Sequence, residues 1–527
     1  MLGPHGRKEL MANRNRVREG LARGEFVLTF EMVAPELDQP FEASIAPALR
    51  LAEWVGADPR IHGLSVTDRV RSDRDHDPVA IGARLMAASG IQPIVHLSGK
   101  ACSPEAHRCR LEAMRAAGLA ATLIITGDKV KRPEVDGPVR YLDSVIAIRE
   151  ARAAWGELWV AAAVSPFKYR EEELLNQYLK MVKKWRAGAD WFIAQVGWDM
   201  EKYQELLWYR AARGLPFPLV ANVFLLIPGA ARYIHQGKVP GVLVTDDLLA
   251  KVEEEARGED KGRGAAYRRL ALQIVGLKRM GYAGAQVSGV HTLEGARRLL
   301  DLVGALDGDL PSLEAWRDAW LLALTLSDGR VARTAPADGL YLALGAEARA
   351  AWPLAGPPDP GLARASEAEL RRYRQLDAVD RLVFKEGTLG YHLVGPLVRA
   401  ADRMPGLRTR LLAVEKLAKH ALVGCQTCGF CRLPDTFYVC PETCPKGLAN
   451  GPCGGTDGNR CEYGDRECIH NVKYRVAKAA GALADLEEVY IPPVPDRRDT
   501  CSWTHHFRAE DPRVVRLPAP VPAEGGA

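Results

Sequence analysis

Long apolar runs are missing from this chain. No stretch reaches the roughly 18 apolar residues that a membrane helix needs. The best candidate, LVANVFLLIPGAA, is interrupted by Asn222 and Pro228, so no membrane span is expected. The N-terminal stretch MLGPHGRKELMANRNRVREGLARG is basic but lacks the apolar core of a secretory signal, and a cytoplasmic location is the expectation. Charge of one sign is scarce too: the net charge is +5 over 527 residues, with acids set between the Lys and Arg residues. That balance gives little support to nucleic-acid binding. Cysteine is nearly absent from the first 424 residues, which hold only Cys102 and Cys109. No G-x-G-x-x-G follows the first β-rich run and no Walker A loop occurs, which argues against a doubly wound nucleotide-binding sheet.

What is present is an alternation. Eight short β-rich runs, VLTFEMV, HGLSVT, IQPIVHL, ATLIIT, LWVAAAV, WFIAQV, LVANVFL and GAQVSGV, are separated by stretches of helical period such as ASIAPALRLAEWVGA and EELLNQYLKMVKKWRAG. Eight strands, each with a helix after it, predict a (β/α)8 TIM barrel, in which functional groups gather at the C-terminal strand ends. Polar residues recur at those ends: Glu31, Thr67 and Asp68, His96, Asp128 and Gln195. Glu31 stands out, because it interrupts an apolar strand. An unpaired buried carboxylate costs several kcal/mol or shifts its pKa upward, so the position is either an edge, an Arg partner, or a working acid. Three domains are expected: the barrel over 1–305, a mainly helical connection over 306–420, and a cysteine-rich metal domain over 421–527. In the connection, AGPPDPG reads as a loop and Ser366 with Glu369 as a capping box. The end, VRLPAPVPAEGGA, is expected to fray.

The segments FEMVAPE, SVTD, PIVHL, IITGD and AGADWFIAQVGWD resemble, in order and strand context, those of the methylenetetrahydrofolate reductases, flavin-dependent barrels that make 5-methyltetrahydrofolate. The resemblance implies an enzyme acting on a tetrahydrofolate derivative. It makes Glu31 the general acid, Asp128 a residue beside flavin and pterin, and Gln195 a pterin-binding amide. Thr67, His96, Gly127, Asp128 and Lys184 then fall at flavin-contacting positions; a strand Thr, a core His and a solvated helix Lys are the plain alternatives for Thr67, His96 and Lys184. The chain departs from the family after strand five, where AVSPFKY replaces the usual Tyr-Pro-Glu segment. That puts the flavin in question: FAD, FMN, or none. NAD(P)H or a redox partner protein would supply electrons, and a homo- or hetero-oligomer is expected. Two rival readings stay open, a flavin-free folate-dependent methyl-transfer protein and a non-catalytic subunit that docks a separate reductase.

Eight cysteines crowd one segment: Cys425, Cys428, Cys431, Cys440, Cys444, Cys453, Cys461 and Cys468. In a cytosolic chain such spacing points to metal before disulfides. The C-x2-C-x2-C opening with Cys-Pro pairs suits a [4Fe-4S] cluster, and zinc is the alternative. Eight thiolates exceed one site's needs, so two sites or some spectator thiols are both compatible with the count. The CPKGLANGPCGG core resembles the module fused to, or partnered with, reductases of the same family, which implies electron input or a structural metal role. Cys102, Cys109 and Cys501 read as ordinary residues.

Overall fold

The computed structural model describes residues 14–70, 74–130, 140–342 and 363–519. A short helix, α1 (Arg16–Ala22), precedes β1 (Val27–Met32), α2 (Phe41–Ala57), β2 (Gly63–Val66), α3 (Pro78–Ser89) and β3 (Ile94–Ser98). The chain continues through α4 (Pro104–Ala116), β4 (Ala121–Ile125), α5 (Ser144–Ala154), β5 (Trp159–Val164), α6 (Glu171–Arg186) and β6 (Trp191–Ala194). Next come α7 (Met200–Ala212), β7 (Leu219–Phe224), α8 (Pro228–His235), α9 (Asp246–Glu255), α10 (Arg263–Met280), β8 (Gly284–Ser288) and α11 (Leu293–Asp309). The eight strands close in chain order into one parallel barrel, the architecture that the alternation predicts. Three helices, not one, stand between β7 and β8.

Strand side chains alternate between the two faces of a sheet, so every second residue enters the barrel. At the N-terminal end the interior is an apolar plug of Val27, Ile94, Ala121, Trp159, Trp191 and Val220, closed from below by Val17 of α1. Trp159 and Trp191 stack with centroids 4.7 Å apart. Toward the C-terminal end the same inward rows turn polar. The plug thus leaves only one end of the barrel open to chemistry.

Beyond the barrel lie α12 (Leu313–Leu324), α13 (Glu367–Val379), α14 (Leu389–Asp402) and α15 (Pro405–Val423). Ser366 and Glu369 form the expected capping box; AGPPDPG lies outside the described residues. The cysteine segment has little regular structure before α16 (Ile469–Ala479), α17 (Asp485–Glu488), β9 (Val489–Tyr490), α18 (Ser502–Phe507) and β10 (Val515–Arg516). β10 pairs antiparallel with β9, and Leu517 is buried. The expected fraying is therefore wrong for 515–517, which the strand pair and the Leu517 amide's bond to the Glu488 carbonyl hold; residues beyond 519 lie outside the described ones. Among the described residues, no helix is long and apolar enough to cross a membrane.

The C-terminal module packs on α6. Tyr474 donates to Glu171 Oε1 at 2.8 Å, Asn176 to the His470 carbonyl at 2.7 Å and Lys180 to that of Gly451 at 3.0 Å. Lys183 and Arg186 donate to the carbonyls of Val489 and Leu517 at 2.6 and 2.9 Å. A loop-rich segment cannot satisfy its own carbonyls, and α6 supplies the donors. Its polar face, which looks solvent-facing by pattern, is buried for that reason.

Candidate functional site

Glu31 shares the inward row of β1 with Val27 and Thr29, and it lies opposite Ser65 of β2. It is half-buried at the open end of the barrel. Gln286 Nε2 donates to its Oε2 at 2.9 Å, and the Ser288 hydroxyl lies 2.8 Å from its Oε1. The same hydroxyl lies 2.8 Å from Asn222 Oδ1. One hydroxyl proton cannot serve two acceptors. The conflict disappears with Glu31 protonated, its O–H donating to Ser288 and Ser288 donating to Asn222, or with the Asn222 amide turned so that its Nδ2 donates to Ser288. Burial raises the pKa of Glu31, and the bonds from Ser288 and Gln286 only partly oppose that rise. Desolvation therefore favours the acid form.

Around this carboxyl lie buried polar atoms with no hydrogen-bond partner among the described residues: Thr29 Oγ1, Ser65 Oγ, His96 Nε2, Gln286 Oε1 and Ser165 Oγ. They come from β1, β2, β3, β8 and the residue after β5. Buried polar atoms are normally paired, so water or a polar ligand would satisfy this cluster. Burial pushes the His96 pKa down to about 4 against the pull of Asp68, which keeps the imidazole neutral at pH 7.

The other predicted residues fall in several places. Thr67 is buried and accepts from the Ala34 amide at 3.2 Å. Asp68 is structural, bound by the Ser98 amide at 2.7 Å and Arg110 at 2.8 Å. Gln195 continues the inward row of β6, and its Oε1 accepts from the Val196 amide at 3.0 Å. Gly127 follows β4 with φ 85°, where a Cβ would lie 2.2 Å from Ser98 Oγ; only glycine fits there. Asp128 beside it is exposed. Lys184 is not solvated: its Nζ donates to the Ala163 carbonyl, near the C-terminal end of β5, at 2.7 Å, and burial lowers its pKa to about 7.

Two lysines absent from the sequence expectations join the cysteine module to the barrel. Lys446 Nζ donates to the Gly127 carbonyl at 2.7 Å and pairs with Glu462 at 2.6 Å, both side chains being almost wholly buried. Lys168, within AVSPFKY, donates to the Thr456 carbonyl. The module therefore touches the strand-four and strand-five ends, where the active site of such a barrel forms. Lys446→Met should strand the Glu462 carboxylate in a buried site and cost about 3–5 kcal/mol. Thermal or denaturant unfolding checks this, with Glu462→Gln added to the same chain expected to restore part of the loss.

The eight cysteines divide into two sets. Cys425, Cys428, Cys431 and Cys440 line one small cavity closed by Phe430, Leu433 and Ser502. Burial pushes the Cys440 thiol up to about 12, with Cys425, Cys428 and Cys431 adding repulsion. In the other set, burial raises Cys468 well above the usual thiol range, and the neighbours that add to it are Cys453, Cys444 and Cys461. Cys444 rises to about 11 for the same reason, burial first. Among the described residues, no three His, Cys, Asp or Glu side chains are arranged to hold a single metal ion. The two sets follow chain order, and Cys501 joins neither.

With this geometry in view, the chain compares with known proteins as follows. Residues 16–295 match the family model described as methylenetetrahydrofolate reductase, and residues 404–496 match that of the methylene-tetrahydrofolate reductase C terminal. No curated protein matches the chain. Among solved structures, it is similar to an uncharacterized Clostridium thermocellum protein that binds two copies of 5-methyl-5,6,7,8-tetrahydrofolic acid. That pair shares 13% identity over 56% of this chain and 99% of the other, with a TM-score of 0.41. It is also similar to phosphoenolpyruvate phosphomutase from Streptomyces platensis subsp. rosaceus, at 15% identity over 59% of this chain and 89% of the other, with a TM-score of 0.31. Because the first family model spans more than half of the residues, the chain belongs to the methylenetetrahydrofolate reductase family.

Proposed function

We propose that the protein reduces 5,10-methylenetetrahydrofolate to 5-methyltetrahydrofolate, with Glu31 as general acid. The observation that carries this reading is the inward, pKa-raised carboxyl of Glu31, held by Gln286 and Ser288 at the open end of the barrel. The methylene bridge of the substrate is an aminal, and it opens to an N5 iminium only when N10 gains a proton. An acid that stays protonated near neutral pH can give that proton. Gln195 would bind the pterin ring and Asp128 would flank it. The unpartnered Thr29, Ser65 and Gln286 atoms suit the many donors and acceptors of a pterin.

A reduced flavin, when bound, supplies the hydride that converts the iminium to a methyl group. The residues present fit the ring end of such a cofactor, since His96 Nε2 and Ser165 Oγ are buried without partners. Thr67, His96, Gly127 and Asp128 would hold it. Lys184 would reach a cofactor phosphate only by leaving the Ala163 carbonyl. The flavin-free methyl-transfer reading draws on the same fact and on Lys168, which is engaged with Thr456 where the family carries other residues.

The cysteine sets would each hold one [4Fe-4S] cluster and bring electrons to the barrel. The C-x2-C-x2-C spacing followed by the Cys440-Pro pair supports the cluster over zinc. The test is anaerobic: 5-methyltetrahydrofolate added to the flavin-reconstituted, oxidised protein should bleach the flavin band and yield an equivalent of methylenetetrahydrofolate. Folate binding with no flavin uptake would favour the methyl-transfer reading instead.

A further inference from the structure

We propose that Lys419 is a positioning residue that raises the reduction potential of the outer cysteine set, Cys425, Cys428, Cys431 and Cys440, through a hydrogen bond to the Cys431 sulfur. The inference rests on the reading that this set carries a [4Fe-4S] cluster. An ammonium has three donors, and all three of Lys419 are placed. Its Nζ lies 2.7 Å from Glu415 Oε1, 2.8 Å from Ser502 Oγ and 3.3 Å from Cys431 Sγ. The frame around it is rigid. Glu415 and Lys419 stand one turn apart on α15, the Ser502 amide donates to Glu415 Oε2 at 2.9 Å, and the Ser502 hydroxyl closes the triangle on Glu415 Oε1. The ring of Trp503 lies 5.5 Å from the ammonium. Both charged side chains are largely shielded from water, so the charge acts on the sulfur with little screening.

The wider surroundings of the two sets differ in charge balance. Beside the outer set, three guanidiniums, Arg140, Arg432 and Arg498, share the single carboxylate of Glu442 at 2.9, 2.5 and 3.0 Å, and Arg140 lies within the field of Cys428. Beside the inner set, Lys446 is matched by Glu462, which also faces Cys453 at 3.9 Å, and Arg466, in the field of Cys461 and Cys444, is matched by Asp465. Lys168 there is matched by Glu173, with Asp457 close by. Charge and hydrogen bonds to sulfur set cluster potentials. Cation excess stabilises the reduced, more negative cluster, so the outer set is the easier of the two to reduce.

A redox titration of the intact, iron-loaded protein followed by EPR tests this. Two reduction steps are expected. Lys419→Met should lower the equilibrium constant of the easier step about tenfold, about 59 mV for one electron, and leave the other step in place. Lys419→Arg should keep most of it. Glu415→Gln removes the countercharge while keeping the ammonium, and should move the same step the opposite way; it carries the test if Lys419→Met loses iron. An unmoved easier step in iron-replete Lys419→Met, or equal movement of both steps, overturns the role of Lys419. A wild-type protein that takes up zinc and no iron overturns the cluster reading itself, and with it this proposal.

Discussion

Glu31→Gln should lower turnover of 5,10-methylenetetrahydrofolate by about 10²–10⁴-fold, the usual contribution of a general acid, while raising the melting temperature at neutral pH. The two effects share one cause. Burial raises the folded-state pKa of Glu31, so the fold prefers its neutral form. The stability this group contributes is complete below its unfolded pKa and is lost as pH rises through the raised folded value. Glutamine cannot ionise, and its amide can still meet Gln286 and Ser288. The stability gap between variant and wild type should therefore widen with pH across that window and then level off. Wild-type folate turnover should fall along the same limb as the acid loses its proton. Calorimetry and steady-state kinetics over a pH series check both. A variant that turns over folate at the wild-type rate, or that melts lower at every pH, would sink the assignment.

Local pattern accounts for most of the barrel. The period-two and period-3.6 runs locate all eight strands, because each strand or helix signals itself within about a dozen residues. Glu31 was readable as an anomaly for the same reason. Its partners were half-readable: Gln286 and Ser288 stand two apart in GAQVSGV, hence on one face, and Asn222 is the polar break in LVANVFL. Neither sequence detail says that β8 closes against β1, which is a property of the closed sheet. The burial of the polar face of α6 could not be read from the helix pattern, since it is covered by a module that begins more than two hundred residues later. Lys446 is the clearest case. It sits in the recognisable CPKG stretch, yet its partner, the Gly127 carbonyl, is 319 positions away. Contacts at that separation leave no periodic trace. The division of the cysteines is hidden likewise, because Cys440 and Cys444 both precede a proline and look alike.

That likeness makes Cys440 and Cys444 the sharpest pair for the second large effect. Cys440→Ser should remove the metal of the outer set and Cys444→Ser that of the inner set, each variant retaining about half of the wild-type iron and the double variant almost none. Thiols with pKa values near 12 and 11 stay protonated and repel ionisation in a metal-free pocket, and a bound cation reverses that preference. The 425–468 stretch has short 3-10 turns and no long helix or strand, so on the proposed reading a metal would be the cross-link that holds it; structural thiolate sites contribute as much as about 10–16 kcal/mol. Loss of the inner metal should also free Lys446 from Gly127 and depress folate turnover, whereas loss of the outer metal should spare turnover assayed with a chemically reduced flavin. Iron analysis on both purified variants decides it. If the two lose the same metal to the same extent, the eight thiolates serve one site and the division into two sets is wrong.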